Sequence, residues 1–134
     1  MTTSLRLAIL SVLTLFVWGY GTDALAKSSA AEYQENYEMC VEASSSLVDA
    51  AYECALATTG ASEQNVVHVF EALQERFKQS TPDRLDTLME MHALWMDYSK
   101  RYCRLLSDDK TLWAHCQMRL QLMHLDELNR LKDN

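Results

Sequence analysis

The chain contains four cysteines, and the way they pair decides which folds are open to it. They lie at Cys40, Cys54, Cys103 and Cys116. The intervals from Cys40 to Cys54 and from Cys103 to Cys116 are far wider than the close cysteine spacing of zinc modules. In an oxidising compartment, four cysteines in a short chain predict two disulfides. The prediction of disulfides therefore depends on whether the chain is exported.

The N-terminal segment indicates export. Arg6, the one positive charge near the start, precedes an apolar run over residues 7–18, and Ala24-Leu25-Ala26 closes the segment. This three-part pattern is typical of a cleaved secretory signal peptide over residues 1–26. The apolar run is shorter than the roughly 20 residues that span a bilayer. We therefore expect residues 27–134 to form one periplasmic or secreted domain with two disulfides and no membrane span.

Composition excludes several classes of protein. Among 134 residues there are one Pro and three Gly, too few for the turns of a many-stranded β protein. The formal net charge of −7 argues against nucleic acid as a partner, because phosphate binding requires clustered positive charge. An acidic surface suits a basic protein partner, although many proteins are acidic without having one.

The apolar periodicity of the mature chain predicts helices. They cover residues 31–43, 47–57 and 63–79, followed by one that begins at Pro82 and one over residues 110–131. The three serines at 44–46 form a weak break, and Gly60 and Ser62 are placed as a helix end and a new N-cap. The predicted fold class is all-α, a small disulfide-stapled bundle of four to five helices that are mostly antiparallel.

The helix after Pro82 carries an apolar stripe with the spacing of a bundle core. The stripe comprises Leu85, Leu88, Met91, Trp95, Tyr98, Tyr102 and Leu105. The core side of the last helix is expected to carry Trp113, Cys116, Leu120, Met123, Leu128 and Leu131. The aromatic side chains of the stripe are therefore predicted to be buried packing residues. Trp113 lies in the first turn of its helix and is either a core anchor or a partly exposed contact.

Helix geometry narrows the cysteine pairing, for which three connectivities exist. On an unbroken helix Cys40 and Cys54 would lie about 21 Å apart, whereas a disulfide needs Cα atoms roughly 4.4–6.8 Å apart. If the serine run breaks that helix, Cys40 pairs with Cys54, and Cys103 pairs with Cys116 across the turn at residues 107–109. We favour this sequential pairing, and a Cys40–Cys103 or Cys40–Cys116 disulfide is the alternative that peptide mapping would detect.

The residues around the third cysteine resemble a known family. Trp95, Tyr98 and Cys103 keep the W-x2-Y-x4-C spacing of the lysozyme inhibitor LprI-like family, which consists of small exported bacterial helical domains. Cys116 is followed by Arg119, Glu127 and Leu128 at offsets where that family usually has Arg, Glu and Leu. The resemblance continues upstream at residues 40–43 (C-x2-A), at Cys54-Ala55, and at Leu73 and Phe77 (L-x3-Y in the family). The chain departs from the family at His92 and His124, where Gln and Arg are usual.

The resemblance implies a protein-binding domain that inhibits lysozyme and has no catalytic role. The residues that would contact a basic enzyme are an acidic row on the first helix, at steps of three and four: Glu32, Glu35, Glu38 and Glu42. Such a row is otherwise an ordinary solvated face. The alternative function is an envelope interaction, structural or immunity-type protein with a different partner.

Motifs for catalysis or metal binding are absent from the sequence. It contains no Gly-rich phosphate loop, no nucleophile elbow and no H-E-x-x-H pair. The histidines, at positions 68, 92, 115 and 124, are too scattered for a ligand set. We therefore expect no catalytic residue, no metal and no cofactor. His92 and His115 could approach each other across the last hairpin, but ordinary packing or surface positions are the favoured interpretation.

Overall fold

The computed structural model describes residues 28–134, so the predicted signal peptide lies outside the described residues. Four helices follow one another in this part of the chain: α1 (Ala30–Ala43), α2 (Ala50–Ser80), α3 (Pro82–Arg104) and α4 (Lys110–Asp133). Two disulfides, Cys40–Cys54 and Cys103–Cys116, join them in the sequential pairing. The predicted class, a small disulfide-stapled all-α bundle, is confirmed.

Helix α1 begins at a capping box and packs through its tyrosines. The Ser29 hydroxyl accepts from the Glu32 backbone N–H, and the Glu32 carboxylate accepts from the Ser29 N–H at 2.9 Å. These contacts satisfy backbone donors that a helix start leaves without partners. The Tyr33 hydroxyl donates to the Ala61 carbonyl of α2 at 3.2 Å. With the Cys40–Cys54 disulfide, this contact fixes α1 antiparallel to α2.

Helix α2 is a single helix of 31 residues, so the predicted break at Gly60 and Ser62 is wrong. The side-chain hydroxyls that suggested a break donate hydrogen bonds to carbonyl groups of the same helix. Thr59 donates to the Ala55 carbonyl at 2.8 Å, and Ser62 donates to the Thr59 carbonyl at 3.0 Å. Ser62 is buried, so its small side chain serves packing rather than capping.

Helices α2 and α4 run parallel and share the most extensive interface of the bundle. Lys110, at the start of α4, forms a 2.9 Å salt bridge with Asp49, the residue before α2. At the other end, the Arg76 guanidinium donates to the carbonyls of Leu131 and Lys132, which have no partners within α4. Helices α1 and α3 are antiparallel to this pair.

Two apolar clusters fill the space between the helices. One holds seven buried residues, among them Leu73, Phe77, Leu88 and Leu128, and lies toward the C-terminal ends of α2 and α4. The other contains Ala55, Ala114, Met118 and Leu122, with Trp113 packed against it. Within residues 28–134, no helix combines the length and apolar character that a membrane span needs.

The buried side of α3 matches the predicted stripe only in part: Leu88 is buried, Leu85 packs against the core and Trp95 is half-buried. The side chains that face the bundle are Leu88, His92, Trp95, Ser99 and Cys103, whereas Met91, Tyr98, Tyr102 and Leu105 are exposed. Cys103 sets this orientation, because its disulfide to Cys116 turns that side of the helix toward α4. Residues three and four positions apart then follow Cys103 into the core.

On α4 the predicted core side is only partly correct. Cys116 and Leu128 are buried as predicted, and Leu120 and Trp113 are half-buried, but Met123 and Leu131 are exposed. The remaining buried positions include Ala114, Met118, Leu122 and Leu125. Helix α4 contacts all three other helices and therefore buries more than one stripe.

Candidate interaction surfaces

The acidic row of α1 lies opposite the side that packs on the bundle. Glu32, Glu35, Glu38 and Glu42 are all exposed, and α1 contains no Lys or Arg. Glu32 is engaged in the capping box, and the Glu38 carboxylate accepts from Gln34 Nε2 at 2.9 Å. Among the residues that the structure describes, no salt bridge neutralises any of the four. The row therefore presents uncompensated negative charge to solvent.

The residues that resemble the LprI-like pattern have different environments. Leu73, Phe77 and Leu128 belong to one core cluster. Arg119 is exposed, Trp95 is half-buried, and Tyr98 is exposed, so its predicted place in the core is wrong. The pattern therefore includes both packing residues and surface residues.

An unpartnered apolar surface runs along α3. We call it the outer face of α3, and it consists of Met91 (62% exposed), Leu94 (61%), Tyr98 (53%), Tyr102 (47%) and Leu105 (79%). The rings of Tyr98 and Tyr102 stack with centroids 5.6 Å apart. A shallow depression on this face is lined by Leu94, Tyr98, Tyr102 and Leu105, among others.

A groove of about 540 Å³ separates the middle of α3 from α2 and α4. Trp95 and Trp113 line it together with polar side chains, including Glu63, Lys100 and Gln117. The buried hydroxyl of Ser99 is also in its wall, but it donates to the Met96 carbonyl at 3.1 Å. The groove is thus a mixed apolar and polar depression in which this serine is already engaged.

Two histidines meet where α3 and α4 pack together. His92 Nδ1 and His124 Nε2 are 2.8 Å apart. Phe70 stacks on His92 and Trp95 stacks on His124, each with ring centroids 3.9 Å apart. Sequence reasoning missed this pair, which we call the histidine pair. His92 does not approach His115, which instead contacts Tyr37.

The sequence does contain a signal for the histidine pair. The Cys103–Cys116 disulfide fixes the register of the antiparallel α3–α4 hairpin. Counting eight residues back from Cys103 and eight forward from Cys116 gives Trp95 opposite His124, the two rings that stack. His92 lies one turn from Trp95 and therefore also reaches His124.

The environment of the histidine pair disfavours protonation. Burial, followed by the charge of His92, lowers the pKa of His124 from 6.5 to about 4. Burial also lowers the pKa of His92. Because one ring must donate and the other accept, the contact excludes the state in which both rings are charged. Within residues 28–134, no group of three His, Cys, Asp or Glu side chains is arranged to hold a metal ion.

Comparison with known proteins gave no matching family model, no matching curated protein and no matching solved structure.

Proposed function

We propose that the protein is an exported binding module that docks the acidic face of α1 on a basic protein. The observation that carries this proposal is the exposed, uncompensated row of Glu35, Glu38 and Glu42, on a helix without cations. Fields from such a row raise the association rate with an oppositely charged partner and make binding sensitive to salt.

The way α1 is held supports a recognition role. The Cys40–Cys54 disulfide fixes its C-terminal part, and the capping box fixes its start. Asn65 also donates to the Ser28 carbonyl at 2.7 Å. A helix fixed at both ends loses little conformational freedom on binding, which favours affinity.

Lysozyme is the partner that we propose first, on the basis of the resemblance to the LprI-like family. Inhibition would be steric: α1 docks beside the cleft of the basic enzyme, and the bundle covers it. No side chain of the inhibitor needs to react for this mechanism to operate.

A lysozyme turnover assay at low ionic strength tests the proposal. The oxidised protein, purified after export, is compared with the triple variant Glu35→Gln, Glu38→Gln, Glu42→Gln, which keeps the Glu32 cap. Glu63→Gln, Glu71→Gln, Glu75→Gln on α2 is the control, because it has the same net charge. We expect inhibition by the wild type and by the control, and a loss of roughly tenfold or more in the α1 variant.

Absence of inhibition by excess oxidised protein at low salt would reject lysozyme as the partner. In that case the same variants identify the alternative. A protein from the envelope fraction that the wild type and the control capture, but the α1 variant does not, would indicate a different basic partner. Equal behaviour of the two triple variants would reject α1 as the docking surface.

A further inference from the structure

The outer face of α3 has the residue spacing of a helix-pairing seam. Met91, Leu94, Tyr98 and Leu105 follow one another at steps of three, four and seven residues, and Tyr102 lies beside Tyr98. This is the pattern by which two helices pack against each other. The adjacent side of α3, about 100° away around the helix, already faces its own bundle, so the seam is left for an additional element.

The apolar area of this face is large for a surface that only contacts water. Five large side chains, each about half exposed or more, give roughly 500 Å² of accessible apolar surface. Patches of this size on a single chain often mark interfaces. Two such faces together would bury roughly 1,000 Å², which is the lower limit for a specific protein interface.

The charges beside the seam indicate what covers it. Each residue of a helix is rotated by about 100° from the one before it, which places six exposed charged residues on one flank of α3 next to the seam. They are Asp83, Asp86, Glu90, Asp97, Arg101 and Arg104. The acidic residues come first and the basic residues come last. A second α3 placed antiparallel brings the acidic part of each helix to the basic part of the other. In a parallel two-fold pair the two charged flanks would lie on opposite sides of the seam and could not contact each other.

We propose that the outer face of α3 binds a second copy of this chain, with the two α3 helices antiparallel about a two-fold axis near Tyr98. In this arrangement Met91 of each copy packs near Leu105 of the other. Glu90 of each copy comes within about one helical turn of Arg104 of the other. The proposal does not depend on the role of α1, which packs on α2 and α4 and lies outside the interface.

Sedimentation equilibrium of the oxidised protein tests this pairing. We expect a reversible monomer–dimer equilibrium in the micromolar range, as suits an interface of this small size. Tyr98→Glu places two carboxylates at the axis and should make the protein monomeric at every concentration. Met123→Glu, at an exposed apolar position on α4, is the matched control and should dimerise like the wild type. Far-UV circular dichroism checks that both variants are folded.

Charge reversal tests the antiparallel orientation specifically. Glu90→Arg and Arg104→Glu each place like charges together twice in the symmetric dimer, and each should weaken dimerisation by roughly tenfold. The double variant restores both opposite-charge contacts and should recover most of the wild-type affinity. A wild type that stays monomeric at high concentration would overturn the proposal. So would a double variant that dimerises no more tightly than the single variants.

Discussion

Replacing His124 with glutamine should remove much of the acid sensitivity of this fold. The His124 ring stacks on Trp95 and meets His92 through its Nε2 atom. Glutamine cannot take up a proton in this range, and its side-chain nitrogen reaches a position similar to Nε2. The variant therefore removes the titration while it keeps a polar group beside His92.

The magnitude follows from the pKa of His124, which burial lowers from 6.5 to about 4 in the folded protein. The unfolded chain takes up this proton near pH 6.5, so below that pH it binds more protons than the folded chain. The contribution of neutral His124 to the free energy of unfolding is therefore fully present above pH 6.5 and is lost as the pH falls to about 4. A shift of that size corresponds to about 3 kcal/mol. The remaining exposure of the histidine pair to solvent reduces this to roughly 2 kcal/mol.

Urea unfolding of the oxidised protein between about pH 7.5 and about pH 4.5 measures this effect. As the pH falls across this range, the free energy of unfolding of His124→Gln should rise by roughly 2 kcal/mol relative to that of the wild type. His68→Gln, at an exposed position on α2, is the control and should follow the wild type. Parallel pH profiles for the wild type and His124→Gln would show that the pKa of His124 is not lowered by folding.

Three further changes test the packing and the helix assignments by chemical denaturation. Replacing Cys103 and Cys116 with serine should lower the free energy of unfolding by about 3 kcal/mol, because the disulfide closes a loop across the α3–α4 turn and so restricts the unfolded chain. A loss below about 1 kcal/mol would mean that this restriction does not stabilise the fold. Leu73→Ala should lower the free energy of unfolding by about 3 kcal/mol, because truncating this fully buried side chain leaves a cavity in the core. A near-neutral effect would mean that the cluster is loosely packed. Gly60→Ala should raise the free energy of unfolding by about 0.5–1 kcal/mol, because Ala favours a helix interior over Gly and the new Cβ meets no atom within 4 Å. Destabilisation would argue against the continuous helix.

The sequence predicts the helical class, the disulfides and several helix starts correctly because those features depend on local chemistry. Pro82 at the first position of α3 and the turn at residues 107–109 before α4 are examples. Asp109 accepts from the backbone N–H groups of Thr111 and Leu112, as its position before the helix suggests.

The continuous helix α2 and the orientation of α3 could not be read from local chemistry. Ser62 has the sequence features of a cap, but tertiary packing buries it inside the helix. Helix α3 has two possible apolar sides, one with Tyr98 and one with Trp95, and only the register imposed by Cys103 selects the second. The histidine pair depends on the same register, so it too follows from an interaction between helices.

Binding of lysozyme at two ionic strengths tests the proposed role of α1 most directly. Titration calorimetry of lysozyme with the oxidised protein, at about 20 mM and about 300 mM salt, separates electrostatic docking from other contacts. We expect the wild type to bind at low salt and more weakly at high salt, and the triple variant of Glu35, Glu38 and Glu42 to bind poorly at both. No heat of binding at low salt, or the same affinity for the wild type and the variant, would contradict this expectation.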